Sequence, residues 1–233
     1  MAKFYKAKQN YLGRQEAKFY FLAMGLVLLP LVLAALSYRF LPSPLIIAVA
    51  MGLIVVLVSL ADPFVGFFRK KSLRFFRGRA GEDAVRKELS RLPDDFAVFS
   101  DVLFPAGHGD IDFVVVGPPG VFVVECKSHR GRVEYNGSQL TLNRRSFNKN
   151  FIRQAHGEMW ALKNFLKLRL GQNVFVQPII VFSNAFAQVD LEMKPIDGVY
   201  IIHKDFLVDF LDNFPFSGWA DFRASVEQVL SKL

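Results

Sequence analysis

Apolar and polar positions along the chain follow two different patterns. From Phe19 to Tyr38 about twenty residues run without a charge, the length that crosses ~30 Å of hydrocarbon at about 1.5 Å per residue. Pro30 interrupts the run, which transmembrane helices tolerate. Residues 39–44, with Pro42 and Pro44, read as a tight turn before a second, shorter apolar run from Leu45 to Ala61. Asp62-Pro63 ends it, and Phe64, Phe67 and Phe68 are placed to settle at an interface. Two buried helices of a soluble protein fit these runs poorly, because neither has a polar face. A cleaved signal peptide fits poorly as well: the charged leader is long, the apolar stretch exceeds an h-region, and another span follows at once. A re-entrant second segment is the remaining rival, and it would leave both flanks on the same side.

Beyond residue 80 the period changes to that of a folded domain. Glu82–Leu92 predicts a short helix stopped by Pro93, and Phe96–Phe104 a strand. Ile111–Val116 and Val121–Lys127 are β-branched runs separated by Gly-Pro-Pro-Gly, a hairpin signal. Arg132–Tyr135 and Gln139–Asn143 flank Asn136-Gly137-Ser138, a second hairpin turn. Asn150–Leu170 is helical, with Ile152, Ala155, Met159, Leu162 and Leu166 on one face and Gly171 at its end. Within it the stripe Met159, Trp160, Leu162, Phe165 and Leu166 reads as core. Val174–Phe182 and Val199–His203 are strands, and Phe206–Leu211 and Trp219–Leu233 are closing helices. This order predicts an α/β fold with a mixed, largely antiparallel central sheet flanked by helices and preceded by two transmembrane helices. The divisions expected are a basic tail at 1–18, a transmembrane hairpin at 19–62, a basic linker at 63–77 and a folded domain at 78–233.

Charge sharpens that division. Residues 1–79 hold twelve Lys/Arg and two acids, a net +10, while residues 80–233 are at −2, which together make the chain's +8. The basic balance therefore belongs to the flanks of the apolar runs and is no nucleic-acid footprint. Lys3, Lys6, Lys8, Arg14 and Lys18 precede the first run, and Arg69, Lys70, Lys71, Arg74, Arg77 and Arg79 follow the second, with Arg39 alone between them. The positive-inside rule then places both termini and the domain on the cytoplasmic face of a bacterial-type plasma membrane, the basic stretches lying against anionic lipid. One cysteine, Cys126, excludes an internal disulfide and reads as a small buried hydrophobe. The four histidines are too scattered to suggest zinc.

Candidate chemistry concentrates between Gly109 and Lys127. With residues 117–120 as the loop, cross-strand partners set Asp112 opposite Glu125 and Asp110 opposite Lys127. Alternation puts Glu125 and Lys127 on one face and Cys126 on the other, while a one-residue slip would move Asp112 across the sheet. Two facing carboxylates repel unless a cation lies between them, and Mg²⁺ or Mn²⁺ suits such hard oxygen ligands. The lysine could then hold a nucleophile or developing negative charge. The plain alternative is a Lys127 salt bridge with Asp110 or Glu125 at a solvent-exposed strand end. On the helix 82–92, Glu82 shares the stripe of Val85, Leu89 and Leu92, so it either stabilises the helix N-terminus or points at the same site.

Ala80-Gly81-Glu82, Gly109-Asp-Ile-Asp112-Phe-Val-Val-Val, Gly120-Val-Phe-Val-Val-Glu125-Cys-Lys127, Gly131 and Gln154 resemble the NERD (nuclease-related) domain, over roughly residues 78–185. That family looks like a branch of the PD-(D/E)xK restriction-endonuclease-like superfamily, although Ile111 stands where the superfamily's Pro-Asp pair has proline. The resemblance implies a restriction-endonuclease-like core in which Asp112 and Glu125 bind metal and Lys127 positions water. It further implies that Glu82 binds or orients metal and that Gln154 supports the site.

Arg130, Arg132, Arg144, Arg145, Lys149 and Arg153 follow the Glu-x-Lys strand against a single acid, Glu134. They could hold phosphates on either side of a scissile bond, or meet anionic lipid. The function expected is a membrane-anchored, Mg²⁺- or Mn²⁺-dependent nuclease acting on DNA ahead of RNA with little sequence specificity. The rivals are an inactive tethered nucleic-acid-binding module and a membrane or protein scaffold.

Overall fold

The structure, a computed structural model, describes residues 1–6, 76–103, 110–191, 193–215 and 220–233, with six isolated positions between 21 and 73. The chain divides into two compact units, Met1–Gln9 with Gly78–Leu233, and Asn10–Arg77. The two apolar runs fall in the second unit and almost wholly outside the described residues, as does most of the basic 63–77 linker. Among the described residues no helix is long and apolar enough to cross a membrane.

In the first unit, a six-stranded sheet is built from β1 (Lys3–Lys6), β2 (Ala97–Leu103), β3 (Asp110–Gly117), β4 (Gly120–Lys127), β8 (Val176–Phe182) and β10 (Tyr200–His203), in that spatial order. A smaller sheet runs β7 (Arg145–Ser146), β6 (Leu140–Leu142), β5 (Gly131–Tyr135), β9 (Ala187–Val189). The helices are α1 over residues 76–89, α2 (Phe151–Leu170), α3 (Leu207–Asp212) and α4 (Ala220–Leu230).

The central strands are nearly continuous apolar runs because both sheet faces are covered. Val98, Phe113, Val115, Phe122 and Val124 pack with Val85 and Leu89 of α1 and Leu207 and Leu211 of α3. On the other face, Ala97, Phe99, Val114, Val116, Val121 and Val123 pack with Leu162 and Leu166 of α2 and Val226 and Leu230 of α4. Asn150 caps α2 by accepting from the Arg153 N–H, and Gly171 closes it in the left-handed conformation. Trp160 departs from the expected core stripe: it is half exposed, with the Lys163 ammonium 4.8 Å from its ring.

The sheet is mixed, as expected, but not largely antiparallel. β2–β3 and β3–β4 are antiparallel, whereas β1–β2, β4–β8 and β8–β10 are parallel. The 20-residue α2 is the reason for the β4–β8 pairing, since a crossover helix returns the chain in the same direction. The first helix also begins earlier than its apolar stripe suggests, so Gly81 and Glu82 lie inside it and not at its start.

The first residues of the chain, expected to form part of a basic tail, are an edge strand. Lys3–Lys6 pairs in parallel with Ala97–Ser100, and the Ala2 and Lys3 N–H groups donate to the Leu92 and Phe96 carbonyls at 3.0 and 2.9 Å. The Tyr5 ring stacks on Phe99 at 4.7 Å between centroids, and its hydroxyl donates to Glu227 of α4 at 3.2 Å. Tyr5→Ala should therefore destabilise the first unit by about 1–2 kcal/mol. Denaturant unfolding of the full chain measures this, and an unchanged midpoint would show that β1 does not hold the sheet.

Candidate active site

The β3–β4 hairpin adopts the expected register: Val116 pairs with Val121, Phe113 with Val124, and Gly117 with Gly120 around Pro118-Pro119. Continued one step, it sets Asp112 opposite Glu125, but regular pairing stops at Phe113. On its other side β3 pairs Phe113 with Ser100 and Ile111 with Val102, passing over Asp101 and Asp112. Asp101 takes a left-handed φ of 57° there, a conformation that costs a non-glycine residue energy. Facial alternation slips at this point, since Val102 and Ile111 join the cluster of Phe99 and Val114. Asp112 fills the gap itself: its Oδ2 accepts the Cys126 N–H at 2.7 Å, in place of a strand partner. The carboxylate is thus held against the β4 backbone, between Glu125 and Lys127.

Glu125 is buried and Lys127 nearly so, both on the α2 side. The Lys127 ammonium pairs with Glu125 Oε1, donates to Gln154 Oε1 at 3.2 Å, and lies 4.4 Å from the centre of the Phe151 ring. The Gln154 amide completes a closed network by donating to Glu125 Oε1 at 2.7 Å and Glu158 Oε1 at 2.9 Å. The Lys127–Glu125 ion pair allowed from sequence is therefore present, but buried within a network and not at an exposed strand end. Lys127 does not turn across to Asp110, whose strand partner is Leu103.

Glu82 reaches this end of the sheet because residue 81 is glycine. A Cβ there would stand 2.6 Å from Ser183 Oγ and 3.0 Å from Ser128 Cβ, so a larger residue would push α1 away from the ends of β4 and β8. Burial is the largest cause that lifts the Glu82 carboxyl to about 7, and the charges of Asp101 and Glu125 add to it. Asp112 is held well above the usual carboxylate range by burial, then by Glu125, with the Cys126 N–H opposing. Cys126 packs against the α1-side core, and burial pushes its thiol up.

Glu158 belongs to the site, although nothing in the sequence analysis selected it. It is buried, and burial first, then Glu125, lift its carboxyl to about 9. Its signal was spacing: it lies three residues after Ala155 and four before Leu162, on the apolar stripe of α2, the same pattern that singled out Glu82. His129 was also missed. It lies beside Lys127 against Phe147 and Phe151, at ring distances of 5.0 and 5.6 Å.

The six basic residues do not act as one patch. Arg145 and Lys149 line a cavity with Glu125, Lys127 and Gln154. Arg132 is engaged by Asp190 at 2.5 Å and Glu134 at 3.4 Å, and Arg130 sits 4.5 Å from the Phe186 ring. Arg144 and Arg153 are exposed but do not line the cavity.

Among the described residues no group of three or more His, Cys, Asp or Glu is arranged to hold a metal. The donor chemistry of Asp112 and Glu125 nevertheless suits a hard divalent cation, and Glu125 Oε2 is buried without a hydrogen-bond partner. Glu158 Oε2 is in the same position.

Folding keeps Glu82 and Glu158 protonated to higher pH than in the unfolded chain, where both titrate near 4.5. Their contribution is thus fully present below that value and is lost as pH rises through about 7 for Glu82 and about 9 for Glu158. The metal-free protein should melt at progressively lower temperature over this range, and Glu158→Gln should flatten the alkaline part of the slope. Identical slopes in the two proteins would mean that Glu158 is not buried as an acid.

The profile of the NERD family, a nuclease-related domain, matches residues 77–183, from α1 to the end of β8. A Bacillus anthracis protein described as uncharacterized is 39% identical over 66 residues, covering 27% of this chain. The chain spans about a third of that relative, 31% of its length. No solved structure matches the chain at a significant level. Glu82, Asp112, Glu125, Lys127, Gln154 and Glu158 all lie inside the segment that matches the nuclease-related domain, residues 77–183.

Proposed function

We propose that the domain is a metal-dependent phosphodiesterase of the PD-(D/E)xK type that cleaves nucleic acid, DNA ahead of RNA, at the cytoplasmic face of a membrane. The observation that carries this reading is the cluster of Asp112, Lys127 and the buried Glu125, with an unpartnered Glu125 oxygen beside a cavity. Asp112 and Glu125 would hold Mg²⁺ or Mn²⁺. When bound, such an ion acidifies a water and offsets charge on a phosphate.

The chain's own residues supply the remainder. Lys127 is fixed by Glu125 and Gln154, which leaves its ammonium placed to hold a water or a phosphate oxygen. Gln154 orients Glu125 by donating to its Oε1, and Glu158 anchors Gln154 from the next helical turn. Glu82, lifted to about 7, can hold or release a proton near neutrality at the α1 side of the site. Arg145 and Lys149 at the cavity mouth suit flanking phosphates.

Membrane attachment is supported by the two apolar runs and their basic flanks. Met1–Gln9 and Gly78–Leu233, the stretches that flank segment 10–77, belong to one compact unit, which is compatible with an even number of crossings. Phe21, Leu28 and Val32 are helical and exposed. A Ser43→Cys variant in intact cells should react with a membrane-impermeant maleimide from outside. Reaction only after permeabilisation would refute the hairpin.

Turnover is tested with the full chain in detergent, because a fragment starting at residue 78 lacks β1. Wild type should bind Mn²⁺ in a calorimeter and cleave nucleic acid, Asp112→Asn/Glu125→Gln should do neither, and Lys127→Met should cleave about 100-fold more slowly. Nucleic-acid binding by folded wild type without Mn²⁺ binding or cleavage would favour an inactive binding module.

A further inference from the structure

The cavity beside Glu125, Lys127 and Gln154 has a volume of about 960 Å³, and its lining divides by chemistry. One wall is aromatic: His129 meets Phe147 edge-on at 5.0 Å, and Phe147 lies 4.6 Å from Phe151. The rim is cationic and amide-bearing, from Arg145, Lys149 and Asn148. His129 Nδ1 is buried without a hydrogen-bond partner, and burial with the Lys127 charge lowers the imidazole's pKa, favouring the neutral form. A π surface, a polar ring atom without a partner and the cations Arg145 and Lys149 therefore adjoin the carboxylate–lysine network in one concavity.

That combination matches a nucleotide: a ring to stack, edges to hydrogen-bond and a phosphate to neutralise. A base within an intact double helix is stacked on both faces and paired along its edge, so it cannot lie against a concave aromatic wall without leaving the stack. We propose that this cavity is a nucleotide subsite, in which the base next to the scissile phosphate lies unstacked against Phe147 and His129. The domain's substrate is accordingly single-stranded nucleic acid or an unpaired end. The inference rests on the phosphodiesterase reading of the site and adds to it the form of the substrate. Stacking against a ring is sequence-tolerant, which agrees with the little sequence specificity expected from the sequence.

The test uses the full chain in detergent with EDTA, so that binding is read apart from turnover. Fluorescence anisotropy compares a labelled single-stranded oligonucleotide with a blunt hairpin duplex of the same sequence. Wild type should bind the single strand at least about tenfold more tightly, and Phe147→Ala should lower that affinity about tenfold, the effect of losing one base–aromatic stack. Duplex affinity should stay within about twofold. Phe147→Leu, which keeps apolar packing and removes the ring, should reproduce the loss if the alanine variant fails to fold. Equal affinity for single strand and duplex, or an unchanged single-strand affinity in Phe147→Leu, overturns the subsite. Ring-dependent single-strand binding supports the subsite even where Mn²⁺ produces no cleavage, a result that would refute only the phosphodiesterase reading.

Discussion

Four carboxyl groups converge on one end of a buried sheet, and their mutual repulsion is the constraint around which the site is arranged. Glu125 and Glu158 crowd the α2 side, Asp112 lies against the β4 backbone and Glu82 approaches from α1, and Glu125 raises the cost of ionising the other three. Water cannot screen them, so the fold answers by three means. Lys127 neutralises Glu125, the Gln154 amide bridges two of the acids, and a backbone N–H is diverted from strand pairing to Asp112. The remaining imbalance shows in the carboxyl groups of Glu82, Asp112 and Glu158, all lifted above the usual carboxylate range. An arrangement so close to electrostatic overload is one that an added cation would relieve.

The same constraint accounts for the irregularity of the sheet. A β3–β4 ladder that continued past Phe113 and Val124 would have spent the Cys126 N–H on a β3 carbonyl. Pairing is instead surrendered at the one level where acids stand side by side, and the left-handed Asp101 absorbs the change of direction. Regularity resumes immediately above, where Phe113, Val114 and Val115 are buried on both faces and packing alone dictates the register.

Much of this was legible in the chain itself. Gly-Pro-Pro-Gly between two β-branched runs defines the hairpin and therefore the place of Asp112 against Glu125, a purely local inference. Gln154 came from resemblance to the NERD family, and its role became physical once α2 was seen to lean on the end of β4. Other features depend on contacts with no local trace. Lys3–Lys6 is a short, basic stretch whose partner strand begins at Ala97, so nothing nearby marks it as a strand. Arg132 looked available for phosphate because its partner Asp190 is 58 positions away. Glu158 did carry a local signal, a carboxylate on an apolar helical stripe, and was passed over because the helix reads convincingly as core without it.

The order of these segments along the chain bears on how the protein is made. Lys3–Lys6 precedes its partner in the chain, so it can pair only after β2 has emerged, by which time all of segment 10–77 already exists. Closing so long a loop is entropically costly, so the strand is a clasp and not a nucleus. The full length of segment 10–77 is therefore in place before the sheet can gain its outermost strand.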